Sequence, residues 1–321
     1  MPGRAELDNV GERPAVRLER RLTHSPEKVW HAITDPAELA HWFPAAVSAE
    51  LRPGAPIRFT FAGQDAVSTG EILEVDHPSV FAFTWNGDVL RWEIQPDGEG
   101  CLLRFTHSFG RGEPAIAKVA AGRTAAGWDV CLDALAARLA GREFEQPGGW
   151  LPRIEAYAEE FGLGAGEVTE TPDGYLVRFR RDLMWKTLDD VWALLAPEPV
   201  GAEPPLPATN GYVAAGEVTI AEAPRVLEYR WLHDGEPAGL VRWEFVHGEF
   251  DGTRVELTQT VPRALDGVLP TALAAWHTQL ELFFAATHGE IRCHWPEDRT
   301  AALLTRYAAS QLVDESWSFG N

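Results

Sequence analysis

Ten of the thirteen tryptophans of this chain fall into five ordered pairs. Trp30 closes SPEKVW and Trp192 closes TLDDVW; Trp85 closes FAFTW and Trp231 closes LEYRW. Trp92 stands in VLRWEI and Trp243 in LVRWEF, Trp128 in AAGWDVCL and Trp276 in LAAWHTQL, and Trp150 and Trp295 follow the last long apolar helix of each half. Matching order and context mean duplication, and a repeat of this size means two copies of one folding unit. The offsets run 162, 146, 151, 148 and 145, so loops changed length while the elements stayed. The largest change is a loss of 16 residues from the second copy, where LLAPEPVGAEPPLPATNG replaces part of DPAELAHWFPAAVSAELRPGAPIRFTFAG. That loss predicts a missing helix and strand.

Periodicity supplies the elements. AVRLERRLTH alternates as a strand, and Ser25, Pro26 and Glu27 start a helix as N-cap, first position and first-turn acid. A short second helix is expected to carry Leu39, Trp42 and Phe43. Strands are expected near 46–52, 56–62, 67–76, 79–86, 88–95 and 101–109, with hairpin turns at Asn86-Gly87-Asp88 and Pro96-Asp97-Gly98. Phe81, Phe83 and Trp85 share one strand face, as do Leu90, Trp92 and Ile94, and Leu103, Phe105 and His107. Such alternation fits an antiparallel sheet covered on one side. The cover is a helix from about 121 to 140, with Trp128, Leu132, Leu135 and Leu139 on one stripe and Gly141 as its stop. The second copy repeats it with Trp276, Leu280, Phe283 and Gly289, and a short helix with Tyr157 or Tyr307 follows in each half. The expected architecture is α+β, with complete and shortened domains at 14–162 and 166–313 joined at FGLGAGE.

A net charge of −20 repels phosphate backbones and anionic membranes, so neither nucleic acid nor membrane is an expected partner. Three cysteines make no disulfide framework, the N-terminus has no apolar core of a signal peptide, and no run of ~18 apolar residues occurs. The cytoplasm is the expected compartment.

SPEKVWHAITDPAELAHWF, GEILEVDHP, RWEIQPDGEGCLLRFTHS and AAGWDVCLDALAARLAG, in that order over residues 15–162, resemble the activator of heat-shock-protein-90 ATPase homologue-like family of the START-like (SRPBCC) superfamily. The second copy, about 166–313, is similar but lacks the DPxxLxxWF segment. The resemblance implies tandem helix-grip domains: in each, six or seven antiparallel strands wrap a long C-terminal helix and leave a cavity between. It also implies binding of lipids, sterols, hormones or polyketides, aromatase or cyclase chemistry in some members, and co-chaperone action in others.

Any pocket belongs on the inward face. His107 stands there under the long helix, and Gln259 takes its place in the second copy. Each is either a polar group that orients a ligand or a side chain satisfied within the protein. Trp42, Phe59, Phe61, Phe83, Trp85, Trp92, Phe105 and Trp128 either line or fill the first interior, as do Trp231, Trp243 and Trp276 the second. Arg91 and Arg242 are expected on a solvated face. His277, His288, Cys293 and His294 lack a zinc-ligand spacing, and no nucleophile elbow, zinc-protease, phosphate-loop or dinucleotide motif occurs. The reading is a binder of a small, mostly apolar ligand, without cofactor or metal. The alternatives are a chaperone-regulating module and a cyclase-like enzyme using one histidine in an apolar pocket. The complete first copy is expected to hold the larger pocket.

Overall fold

The computed structural model describes residues 5–61, 63, 67–145, 148–196, 199–248 and 252–318, with side chains described as far as 310. The chain divides into two compact units, Met1–Phe161 and Gly162–Asn321.

The first unit runs β1 (Glu6–Val10), β2 (Arg13–Leu22), α1 (Pro26–Thr34), α2 (Pro36–Leu39), β3 (Ala46–Ala49), β4 (Pro56–Thr60), β5 (Val67–Asp76), β6 (Val80–Trp85), β7 (Asp88–Asp97), β8 (Gly100–Ser108), α3 (Pro114–Ala117), α4 (Ala121–Leu139) and α5 (Trp150–Glu160). Its strands form one antiparallel sheet in the order β1-β2-β8-β7-β6-β5-β4-β3. The eighth strand, beyond the six or seven expected, is β1. Its sequence ELDNV is polar because an edge strand is wet on most of its surface. α1 starts where its cap residues require: the Ser25 side chain accepts from the Lys28 backbone. α2 stops at Leu39, so Trp42 and Phe43 lie in the following turn rather than on a helix. Both still point inward, 5 % and 7 % exposed, and the Trp42 indole donates to the Ala32 carbonyl at 2.9 Å. The core lies between the sheet and α4, which buries Trp128, Leu132, Leu135 and Leu139 as their helical spacing requires.

The second unit runs β9 (Glu167–Thr171), β10 (Gly174–Asp182), α6 (Leu188–Leu195), β11 (Ala214–Glu222), β12 (Val226–His233), β13 (Glu236–Gly248), β14 (Gly252–Pro262), α7 (Leu269–Thr287) and α8 (Glu297–Ser318). Its sheet has the order β11-β12-β13-β14-β10-β9, which is the first sheet without counterparts of β3 and β4 among the described residues. Two causes act. Trp30 lies 24 residues before Gly54, but Trp192 only 9 before Gly201, so the chain for α2 and β3 is missing. The two glycines correspond in the ladder as well. Gly54 and Ala55 bond to Ile72, and Gly201 and Ala202 bond to Val218. The chain for β4 is present, but it reads EPPLPA, and proline cannot donate to a ladder. It forms a single 3-10 turn over Leu206–Ala208. The helix carrying Tyr307, expected to be short, spans 22 residues.

One polar cluster recurs in both units. In the first, Arg20 of β2 and Arg153 of α5 clamp Asp129 and Asp133 of α4, and Tyr157 is pushed up to about 12 by burial and by Asp129. In the second, His277 and Glu281 of α7 hold the corresponding positions, with Arg299 and Tyr307 of α8 as partners. The last helix of each unit is thus tied to the long helix by partly buried polar bonds as well as by apolar contact.

Candidate functional site

The inner face of the first unit gathers aromatic rings because strand alternation and the α1–β3 connection aim them at one space. Phe59 and Phe61 come from β4 and its end, Phe83 and Trp85 from β6, Trp92 from β7, Phe105 from β8 and Trp128 from α4. They divide into two groups. Phe59, Trp92 and Phe105 are 0–1 % exposed, and Trp92 and Phe105 pack at a centroid distance of 4.1 Å. These are core. An apolar cleft beside them, lined by Ile33, Leu39, Trp42, Phe43, Ile57, Phe83 and Trp92 among others, encloses about 10 Å³. That is room for roughly one water, so side chains fill the cleft.

The second group lies at the end of the sheet near the β6–β7 turn. Trp85 and Phe61 are only partly buried there. Their rings stack at 5.8 Å and 22°, and Trp85 stacks on Phe59 at 5.0 Å and 24°. Phe43 joins Trp85 at 5.5 Å, and Trp128 meets Trp85 edge-on at 6.2 Å. The sequence does not single out Phe43, because a helix continued through it would place it beside Trp42 on an arbitrary face. The turn after Leu39 is what brings both inward.

His107 stands at the same end, with both ring nitrogens engaged. Its Nδ1 accepts from the Trp128 indole N–H at 2.9 Å, so Nε2 carries the proton and donates to Asp88 Oδ2 at 2.9 Å. The other Asp88 oxygen accepts from the Gly110 backbone at 2.8 Å. By sequence alone Asp88 belongs to the Asn86-Gly87-Asp88 turn. Its register partner is Trp85, so its side chain shares the inner face. Period-two counting from the apolar Leu90 would have found it.

The second unit repeats the scaffold with different endings. The Trp276 indole donates to Gln259 Oε1 at 2.7 Å, as Trp128 does to His107. Gln259 is fully buried, and its Nε2 meets no acceptor among the described residues. Where the first unit has Asp88 opposite Trp85, the second has Gly239 opposite Trp231. The Trp231 indole lies over that glycine and donates to the Thr260 carbonyl at 2.8 Å. Trp243 and Trp276 are buried completely and pack at 6.1 Å. Tyr229 is raised well above the ordinary phenol range by burial, and its hydroxyl donates to the Ala208 carbonyl at 2.6 Å. Arg91 and Arg242, expected on the solvated face, are partly exposed and pair with Glu74 and Glu93 and with Glu228 and Glu244. Cys131 is pushed up to about 12 by burial, which leaves it protonated and inert.

Comparison with known proteins finds a match in the first unit. Residues 23–140 match the family model described as Activator of Hsp90 ATPase homolog 1-like protein. Similar solved structures include a conserved protein of unknown function from Enterococcus faecalis, 19 % identical, covering 49 % of this chain and 90 % of its own at a TM-score of 0.43. CalU16 from Micromonospora echinospora is 23 % identical, covering 49 % and 94 % at 0.38, and a protein from Mesorhizobium loti is 24 % identical, covering 40 % and 99 % at 0.36. No curated protein matches the sequence.

Proposed function

We propose that the first unit, taken as residues 14–162, binds a small, mostly apolar ligand between its sheet and α4 without transforming it. The carrying observation is the partly exposed ring cluster of Phe61 and Trp85 at the end of an otherwise sealed aromatic interior. Apolar walls with a few placed polar groups are the general form of a small-molecule site, and the His107–Asp88 pair borders this one. The engagement of both His107 nitrogens favours binding over catalysis. A general base needs a free nitrogen within reach of substrate, and His107 would have to release Trp128 to provide one. In this reading Trp42, Phe59, Phe83, Trp92 and Phe105 shape the wall from behind, and the second unit, taken as residues 166–313, serves as a structural copy in which Trp231, Trp243, Gln259 and Trp276 are core.

The test is native mass spectrometry against a panel of fatty acids, sterols and aromatic polyketides, followed by equilibrium dialysis of any hit. Phe61→Ala should weaken binding at least tenfold. A panel without a single binder would end the proposal.

A second reading, regulation of a chaperone's ATPase, is favoured by the matched family's description and by an acidic surface suited to a basic partner. An unchanged ATPase rate of an Hsp90-type chaperone across a titration with this protein would dismiss it.

A further inference from the structure

Among the described residues β1 is the last strand of the first sheet. The turn Gly11-Glu12 joins Val10 to Arg13, and the ladder continues through Asp8 opposite Ala15 and Glu6 opposite Arg17. Bonded and non-bonded positions alternate along an antiparallel pair. Counted back from Val10, Leu7 and Asn9 therefore aim their backbone groups away from β2. Pro14, which faces Asn9, agrees: it has no N–H to give, and its carbonyl accepts from the Phe109 backbone just after β8 at 3.0 Å. The Asn9 N–H is taken by Asp8 Oδ1 at 2.8 Å. The Leu7 N–H, the Leu7 carbonyl and the Asn9 carbonyl remain on the open edge. An open cleft of about 600 Å³ lies along that edge, lined by residues 6–9 together with Lys118, Glu160 and Phe161. Leu7 stands opposite the core residue Val16 and shares its inner face, and Glu6 and Asp8 alternate to the outer face. Three carboxylates line the cleft against one lysine. Asp8 pairs with Arg17 at 3.0 Å, and Glu6 makes no ion pair among the described residues. The matching edge of the second unit, β9, differs, because Glu167 and Glu170 are paired there with Arg180 and Arg263.

We propose that β1 receives an extended segment of another protein, one in which apolar and basic side chains alternate. An open strand edge beside a cleft takes a peptide by strand addition: ladder bonds hold it, and alternate side chains select it. The segment pairs with the free backbone groups of Leu7 and Asn9. Its apolar side chains turn inward onto Leu7 and Phe161, and its basic side chains turn outward beside Glu6 and Asp8. A second copy of this chain is a poor occupant, because β1 paired with itself sets acidic side chains against each other in a protein of net charge −20. The inference is independent of any ligand in the interior of the unit.

The experiment follows the fluorescence anisotropy of a labelled peptide, Thr-Lys-Val-Arg-Val-Lys-Thr with blocked ends, against the full chain. Two controls accompany it: an acidic twin with glutamate at the three basic positions, and the basic peptide N-methylated at both valines, whose N–H groups would bond to β1. Wild type should bind the basic peptide about tenfold or more tighter than either control, and more weakly as salt rises. Hydrogen exchange should slow over residues 5–10 when the peptide is added. Glu6→Lys, at an exposed position, should weaken binding about tenfold. Leu7→Pro removes the edge N–H where an edge strand tolerates proline, and should weaken binding as much without moving the melting temperature. Val168→Pro, the same change on β9, should leave binding as it is. Equal binding of the N-methylated peptide would reduce the contact to charge alone and overturn the inference. Slowed exchange on β9 in place of β1, or full affinity in Glu6→Lys, would overturn it as well. A basic peptide that fails to bind wild type would also end it, and would leave the reading of the interior untouched.

Discussion

Trp85 and Trp231 occupy the same place in two copies of one sheet, and the residue facing each across the hairpin decides where its indole points. Gly239 lets Trp231 lie across the neighbouring strands and bond to Thr260, whereas Asp88 turns Trp85 inward. Asp88 also holds the His107 ring, a task that disappears in the second unit, where Gln259 stands in place of the histidine. The second unit closes its interior, and the first keeps two partly exposed rings at its end. The lost α2 and β3 also explain a smaller asymmetry. Glu38 of α2 pairs bidentately with Arg138 near the end of α4, and the second unit has Ala286 at the corresponding helical position.

The exchange of the facing residues breaks this comparison most directly. Gly239→Asp should destabilise the second unit by on the order of 3 kcal/mol or more, because the new Cβ meets backbone oxygen as well as the indole. Urea denaturation measures it, and a variant as stable as wild type would remove the steric explanation. Acid titration comes next. Burial pushes Glu281 up, but hydrogen bonds from His277 and Arg299 outweigh it and hold the carboxyl at about 2, below its ordinary 4.5. A lowered folded-state value stabilises fully above pH 4.5 and loses that contribution as pH falls toward 2. The contribution is on the order of 3 kcal/mol. Arg299→Met should move the acid loss to higher pH, as read by circular dichroism against pH.

The shared indole bond yields a double-mutant cycle. Gln259→Met alone strands the Trp276 N–H, and Trp276→Phe alone strands the Gln259 oxygen. Each should cost about 1–3 kcal/mol beyond its packing change. The double variant should cost less than the sum, with a coupling of roughly 1 kcal/mol or more. Additivity would mean that the bond has no weight in the fold. The smallest effect is expected from Glu38→Gln in the first unit. An exposed ion pair contributes little, and thermal melting should place the variant near the limit of detection. A large drop there would show that α2 is anchored chiefly through this pair.

Much of the fold was legible because tryptophan is rare enough for its spacing to be read and because strand alternation is strict. Those two signals located the long helices, the inward faces and the segment missing from the second copy. The edge strands ELDNV and EVTET were not legible, since an edge strand exposed on both faces has no apolar alternation to detect. The site was legible in part. Alternation placed His107, Trp85 and Gln259 inward, but Asp88 was hidden by its position beside Asn86-Gly87, where an aspartate usually serves the turn. Phe43 was hidden by an overextended helix.

The amino-acid order by itself determined that there are two copies, that each is a sheet closed by one long helix, and that a polar side chain sits at the same inward position in both. Those are properties of periodicity and turn chemistry, which act over a few residues. The tertiary structure decided which polar atoms are engaged and which are not. That depends on residues about twenty apart in sequence, Asp88, His107 and Trp128, meeting across strands and helix. Such bonds require distances and directions set only when the sheet has curved around the helix.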